Sequence, residues 1–98
     1  MSKAYYSDFS NHCLRFFARH NKPEFRNKAD ELNWNICNEL LSSYTDADRD
    51  IILYVYGERD TIADNVYNIS KIKAISQDYV WKIINKIEKE VATKRGLI

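Results

Sequence analysis

The sequence predicts a small all-α domain, a bundle of four or five helices that contains a helix-turn-helix. Apolar residues recur at intervals of three and four along almost the whole chain, which is the period of one helix face. The chain has only two glycines and one proline, whereas sheets and loop-rich folds use more of both in their turns. Its 98 residues, 45% of them hydrophobic, suffice for one core, so residues 1–98 are expected to form a single domain.

Two helices are predicted in the first half of the chain. The first runs from about Tyr6 to His20 and is broken near Pro23, because proline does not continue a helix interior. The second runs from about Asn27 to Ser43. The apolar face of the first helix consists of Tyr5, Phe9, Cys13, Phe16 and Phe17. The stripe of the second consists of Ala29, Leu32, Ile36, Cys37, Leu40, Leu41 and Tyr44.

Three further helices follow, each opened by a hydroxyl side chain that can accept from a free backbone N–H. Thr45 caps the third helix, which is expected to end at Tyr56, and Gly57 occupies the position of a left-handed cap. Thr61 caps the fourth helix and Ser76 the fifth, which is expected to end before the glycine at position 96. The core is expected to contain Phe9, Phe16, Leu32, Ile36, Leu40, Ile52, Val55, Ile69, Val80, Ile83 and Ile87.

Charge is unevenly distributed, although the net charge is only +1. Residues 44–64 hold six acids and two arginines, a net charge of −4. Residues 65–98 hold seven bases and three acids, a net charge of +4. A basic C-terminal third can bind phosphates, and it is equally typical of a solvated helix with charge pairs along its surface.

The window from Val66 to Asn85 carries the pattern of a helix-turn-helix, which we place at about residues 61–94. Ser70 is a small residue where the second helix would pack closest, Ala74 occupies the turn where glycine is commoner, and Ser76 caps the second helix. Ile75 anchors the turn, and Val80 and Ile83 face inward. An ordinary pair of packed helices with a short turn satisfies the same pattern.

The outward side of this second helix supplies the candidate DNA-binding residues, because amide and ammonium groups read base edges and bind phosphates. They are Ser76, Gln77, Lys82, Asn85 and Lys86. The acids of residues 46–64 are expected to stay away from DNA, since they repel phosphates.

The last 60% or so of the chain, from Leu40 to Ile98, resembles the fourth region of bacterial sigma factors and their small relatives in phages and mobile elements of Firmicutes. The resemblance lies in Asp48-Arg49-Asp50-Ile51-Ile52-Leu53 and in Ile75-Ser76-Gln77-Asp78-Tyr79-Val80-Trp81-Lys82-Ile83. It implies a helix-turn-helix transcriptional regulator whose partners are double-stranded DNA, RNA polymerase, or both.

A second hypothesis is a protein-interaction module that uses the same scaffold to dock on RNA polymerase or another host protein. Trp34 lies off its helix stripe and Trp81 is expected to be exposed, and exposed indoles are typical of protein-binding surfaces. Homodimer formation is left open by the sequence.

Enzyme and cofactor functions are not predicted, because no glycine-rich phosphate loop, zinc-peptidase motif or nucleophile motif is present. The set His12, His20, Cys13 and Cys37 lacks the spacing of a zinc finger, so no metal site and no small-molecule substrate are expected. Both cysteines fall on apolar faces and are expected to be reduced core residues. Neither a signal peptide nor a membrane span is predicted, which makes the cytoplasm the expected compartment.

Overall fold

The chain is all-α. The computed structural model describes residues 3–19 and 24–97, with side chains from residue 7 onward. These residues form α1 (Lys3–Arg19), α2 (Lys28–Ser42), α3 (Asp46–Gly57), α4 (Ile62–Lys73) and α5 (Gln77–Lys94). The predicted break at Pro23 and the predicted helix end at His20 lie outside the described residues. The predicted position of the Tyr5 side chain on the apolar face lies outside the described side chains. None of the described helices combines the length and the apolar character that crossing a bilayer requires.

The helix starts confirm the hydroxyl caps. The side-chain oxygens of Thr45, Thr61 and Ser76 each accept from the backbone N–H three residues on, at 3.1 to 3.2 Å. Each cap satisfies one of the N–H groups that a first turn leaves without an internal partner, which is why these helices begin where the sequence predicts. Asn27 caps α2 in the same way at 2.9 Å.

The predicted left-handed cap at Gly57 is wrong. Gly57 is the last residue of α3, and the chain leaves the helix through Glu58 in an extended conformation with φ −76° and ψ 153°. Gly96, by contrast, does adopt a positive φ of 77° just after α5. The difference arises because the side chains of Asn65 and Arg15 donate to carbonyls in the last turn of α3, so this helix end needs no left-handed residue.

Asn65 and Arg15 organise the connection between α3 and α4. The buried Asn65 side chain donates from Nδ2 to the carbonyl oxygens of Val55 at 2.8 Å and of Glu58 and Asp60 at 3.2 Å each. Arg15 of α1 donates to the carbonyls of Glu58 and Asp60 at 3.0 Å. The Val55 carbonyl in the last turn of α3 and two carbonyls of the connection therefore receive donors from α4 and α1, and this fixes α4 against α1 and α3.

Helix α5 packs against each of the other four helices. The core around it confirms most of the predicted members: Ile36, Leu40, Ile52, Val55, Ile69, Val80, Ile83 and Ile87 are buried. Phe9 and Phe16 are only half buried.

Leu32 was predicted to be in the core, and this is wrong: its side chain is 46% exposed. The reason is the length of α5. Helix α5 ends at Lys94, whose ammonium lies 3.5 Å from the Glu39 carboxylate of α2. Leu32 lies seven residues before Glu39, about 10 Å further along α2, so α5 does not reach it. Ala29, also on the predicted stripe, is exposed as well.

Candidate nucleic-acid interface

A three-residue turn joins α4 to α5. Ala74 adopts the left-handed conformation, with φ 54° and ψ 46°. Glycine is commoner than alanine at this position of a helix-turn-helix. The N–H of Ile75 donates to the carbonyl of Ser70 at 3.0 Å, which closes the end of α4. Ser76 then caps α5. The turn is therefore held by a backbone hydrogen bond at the end of α4 and by the Ser76 side-chain cap at the start of α5.

Ala74 allows a direct test of this turn. An L-residue with a Cβ in the left-handed region is strained by about 1 kcal/mol, and glycine is not. Ala74→Gly is therefore expected to raise the free energy of unfolding, or at least not lower it, in urea titrations followed by circular dichroism. Ala63→Gly, at an exposed helical position of α4, should lower it instead. Destabilisation by Ala74→Gly of more than about 1 kcal/mol would contradict the left-handed turn.

The two helices contact each other through small and β-branched side chains. Ser70 is 5% exposed and its hydroxyl donates to the carbonyl of Tyr67 at 2.6 Å, so it needs no partner on α5. Ile69, Val80 and Ile83 are buried beside it. These positions match those that the sequence pattern assigns to the contact between the helices.

The predicted DNA-binding residues all lie on or beside α5. Ser76, Gln77, Lys82 and Lys86 are exposed, whereas Asn85 is half buried. The Ser76 hydroxyl is engaged as the helix cap and retains its own proton as a donor. The Lys86 ammonium lies 5.1 Å from the centre of the Tyr44 ring, which biases it toward the connection between α2 and α3.

Lysines form a row along α5. Lys82, Lys86 and Lys89 follow one another at intervals of four and three and are all exposed, so they project from one side of the helix. The opposite side is buried and consists of Val80, Ile84, Ile87 and Val91. Lys89 was missed in the sequence analysis, although its spacing from Lys86 is a sufficient signal.

The acids of α5 are not distributed like the lysines. Glu88 is 4% exposed, and its carboxylate accepts from Ser7 Oγ and from the Tyr56 hydroxyl, each at 2.6 Å. This burial and the adjacent carboxylate raise the pKa of Tyr56 well above its ordinary value, which keeps the phenol protonated as a donor. Glu90 accepts from Tyr44 at the flank of the helix. The outer face of α5 is therefore more basic than the net charge of residues 65–98 indicates, because Glu88 and Glu90 do not lie among the lysines.

The first turn of α5 has a different character. The Tyr79 hydroxyl donates to Asp48 Oδ1 at 2.6 Å, which brings an acid of the predicted acidic segment against α5. Asp78 is exposed in the same turn. Ile75 lies close by, in a groove of about 470 Å³ between α3 and the turn. Sequence analysis missed this link, because only the packing of α3 against α5 brings the two residues together.

Neither tryptophan is fully exposed. Trp34 is half buried, with its ring centre 5.1 Å from that of Phe17 and 6.1 Å from that of Phe25. Trp81 is half buried and packs against the core, so the expectation of an exposed indole at this position is wrong. Each ring still has an accessible part, and both remain candidates for contact with a partner.

The cysteines are buried thiols. Cys13 and Cys37 are not joined by a disulfide, and burial raises the pKa of Cys13 to about 11 and of Cys37 to about 12. In residues 3–19 and 24–97 no group of three His, Cys, Asp or Glu side chains is arranged to hold a metal ion. His12 is exposed on α1.

Thiol reactivity should follow from this burial. At pH 8 both thiols of the folded protein are expected to react with a chromogenic disulfide reagent at least about a hundredfold more slowly than in urea, because little thiolate is present and access is closed. Purified protein should contain no stoichiometric zinc. Rapid reaction of either thiol in the folded state, or zinc whose removal unfolds the protein, would contradict the assignment of both cysteines to the core.

No protein-family model matches this chain, and neither does any curated protein or solved structure.

Proposed function

We propose that this protein binds double-stranded DNA as a transcriptional regulator that resembles sigma factor region four, with α5 as the helix that enters the major groove. The observation that carries the proposal is the row of Lys82, Lys86 and Lys89 on the outer side of α5. The short turn through Ala74 and the cap at Ser76 support it, because they hold α5 in a fixed relation to α4. Duplex DNA, RNA polymerase or both would be its partners, in the cytoplasm.

The dimensions and chemistry of α5 suit this role. Its 18 residues extend for about 27 Å, and the major groove admits an α-helix. Lysines on one side of a helix neutralise phosphates and release counterions, which supplies affinity without sequence preference. Gln77 and Asn85 are the groups that can read base edges, and Ser76 can donate to a phosphate. Asp78 opposes phosphate contact in the first turn, so the lysines of the later turns are expected to dominate.

Removing two lysines tests the proposal. Lys82→Ala with Lys86→Ala should weaken binding to every duplex sequence and flatten the dependence of log K on log salt by about two units, since about 0.9 counterions are released per phosphate contact. Fluorescence anisotropy of labelled duplexes measures both quantities. The matched control, Lys28→Ala with Arg59→Ala, removes the same charge from exposed positions outside α5. Equal weakening by the two double variants would show that only total charge matters and would contradict the placement of the surface.

A protein-interaction module is the alternative, and the first turn of α5 favours it. Tyr79 is 43% exposed beside Asp48, and Ile75 lies in the same groove, a mixture of apolar and acidic groups that suits a protein better than a phosphate backbone. In this role the module would dock on RNA polymerase or another host protein.

Tryptophan fluorescence separates the two functions. Trp34→Phe leaves Trp81 as the single indole, on the flank of α5. DNA binding through α5 should change the Trp81 emission when duplex is added. An emission that stays constant with duplex but changes with RNA polymerase would favour the interaction module.

A further inference from the structure

Helices α2 and α5 enclose a groove on the side of the bundle away from the α4–α5 turn. Its lining consists of Leu40, Lys86, Lys89, Glu90, Thr93 and Lys94, and its volume is about 400 Å³. The Glu39–Lys94 ion pair bridges the two helices near one end, and near the other end Tyr44, which follows α2, donates a hydrogen bond to Glu90 of α5. We refer to it below as the α2–α5 groove.

An apolar row continues from this groove along α2. Leu32, Ile36 and Leu40 follow one another at intervals of four residues, so they lie along one edge of the helix. Leu40 lines the groove, whereas Leu32 lies beyond the end of α5 and is 46% exposed. Ile36 and Leu40 are each only 9% exposed, so the open part of the row is Leu32, about 12 Å along α2 from the groove residue Leu40.

The rim of the groove is basic. The carboxylates of Glu39 and Glu90 are already engaged, by Lys94 and by the Tyr44 hydroxyl. Within the part of the chain that the structure describes, neither Lys86 nor Lys89 forms an ion pair with a carboxylate. A groove that contains the edge of Leu40, ends toward the exposed Leu32 and carries ammonium groups along one side is complementary to a helix with leucine-type side chains on one face and carboxylates beside them.

We propose that the α2–α5 groove binds an acidic amphipathic helix of a partner protein. The leucine-type side chains of that helix cover the exposed Leu32 and the edge of Leu40 that lines the groove, and its carboxylates pair with Lys86 and Lys89. This surface does not depend on DNA binding by α5, but Lys86 and Lys89 belong to both surfaces. A bound partner helix and a bound duplex therefore compete for them.

The test uses a synthetic acidic peptide of about 15 residues, long enough to form helix, with leucines at intervals of three and four and glutamates beside them. Titration of ¹⁵N-labelled full-length protein should shift the amide signals of Leu32, Leu40 and Lys89 and leave those of α4 unchanged. The same peptide with lysines in place of its glutamates should cause no shifts.

Variants of exposed residues locate the binding surface. Leu32→Glu and Lys89→Glu are each expected to weaken peptide binding by about tenfold or more, because each places a like charge against the glutamates. Lys71→Glu on α4 makes the same charge change as Lys89→Glu, outside the groove, and should leave the affinity unchanged within about twofold. Circular dichroism verifies that every variant is folded.

Three outcomes would overturn the proposal. The first is the absence of peptide-induced shifts at up to about 1 mM peptide. The second is unchanged peptide affinity in both groove variants. The third is a set of shifts at Leu32 and Leu40 that duplex DNA produces and the peptide does not, which would make the groove part of the nucleic-acid surface.

Weakened DNA binding in Lys82→Ala with unchanged peptide binding would support the proposal, because it would show that the two surfaces are separate.

Discussion

Glu88→Ala is expected to lower the free energy of unfolding by about 3 to 4 kcal/mol. The Glu88 carboxylate accepts from Ser7 of α1 and Tyr56 of α3, and the Ser10 hydroxyl donates to the Glu88 backbone carbonyl at 2.7 Å. Alanine would leave the Tyr56 hydroxyl buried without its acceptor and would open a cavity where three helices meet. Urea denaturation followed by circular dichroism measures the loss.

Two control variants are needed to interpret the loss of stability in Glu88→Ala. Glu88→Gln keeps the volume and one acceptor oxygen, so its cost should be smaller, about 1 to 2 kcal/mol. Lys89→Ala, at the adjacent exposed position, should change stability by no more than about 0.5 kcal/mol. If Glu88→Ala were as stable as Lys89→Ala, Glu88 would not be the buried link between α1, α3 and α5.

Asn65→Leu is expected to lower the free energy of unfolding by about 2 to 3 kcal/mol. Leucine is similar in size but has no donor, so the buried carbonyl of Val55 loses the N–H at 2.8 Å. The carbonyls of Glu58 and Asp60 keep Arg15 as a donor, which limits the damage to about one unsatisfied group. The loss should appear in the same urea titration.

The matched control for this prediction is Asn35→Leu, the same chemical change at an exposed position of α2. Because Asn35 is exposed, its loss should alter stability by no more than about 0.5 kcal/mol. A double variant, Asn65→Leu with Arg15→Ala, should lose more than the sum of the two single losses, since both side chains serve the same carbonyls. Strict additivity would show that Asn65 and Arg15 act separately.

Local signals in the sequence predicted the helices and most of the core. A hydroxyl followed by an acid three residues on marks the starts at Thr45 and Thr61, and the cap forms within those few residues whatever packs around them. The stripe from Val80 to Val91 has the helical period and is buried as expected. The turn at Ala74 was also placed correctly, because a small residue between two such stripes is a local feature.

Features that depend on distant parts of the chain were not predicted. The exposure of Leu32 follows from where α5 ends, and the burial of Glu88 depends on hydroxyls from α1 and α3 that its own helix pattern does not reveal. The pairing of Asp48 with Tyr79 joins segments 31 positions apart. Of the candidate site, the sequence pattern predicted the exposed Lys82 and Lys86 but missed Lys89, and the contact of Asp48 with the first turn of α5 required the packed structure.

The central claim, that the outer face of α5 binds duplex DNA, is tested most directly by the salt dependence of binding by the unaltered protein. Fluorescence anisotropy of a labelled random-sequence duplex should be followed from about 50 to about 200 mM salt. If Lys82, Lys86 and Lys89 each neutralise one phosphate, log K should fall linearly with log salt with a slope of about −3. Absence of binding to any duplex near 50 mM salt, or binding that salt does not weaken, would contradict the account.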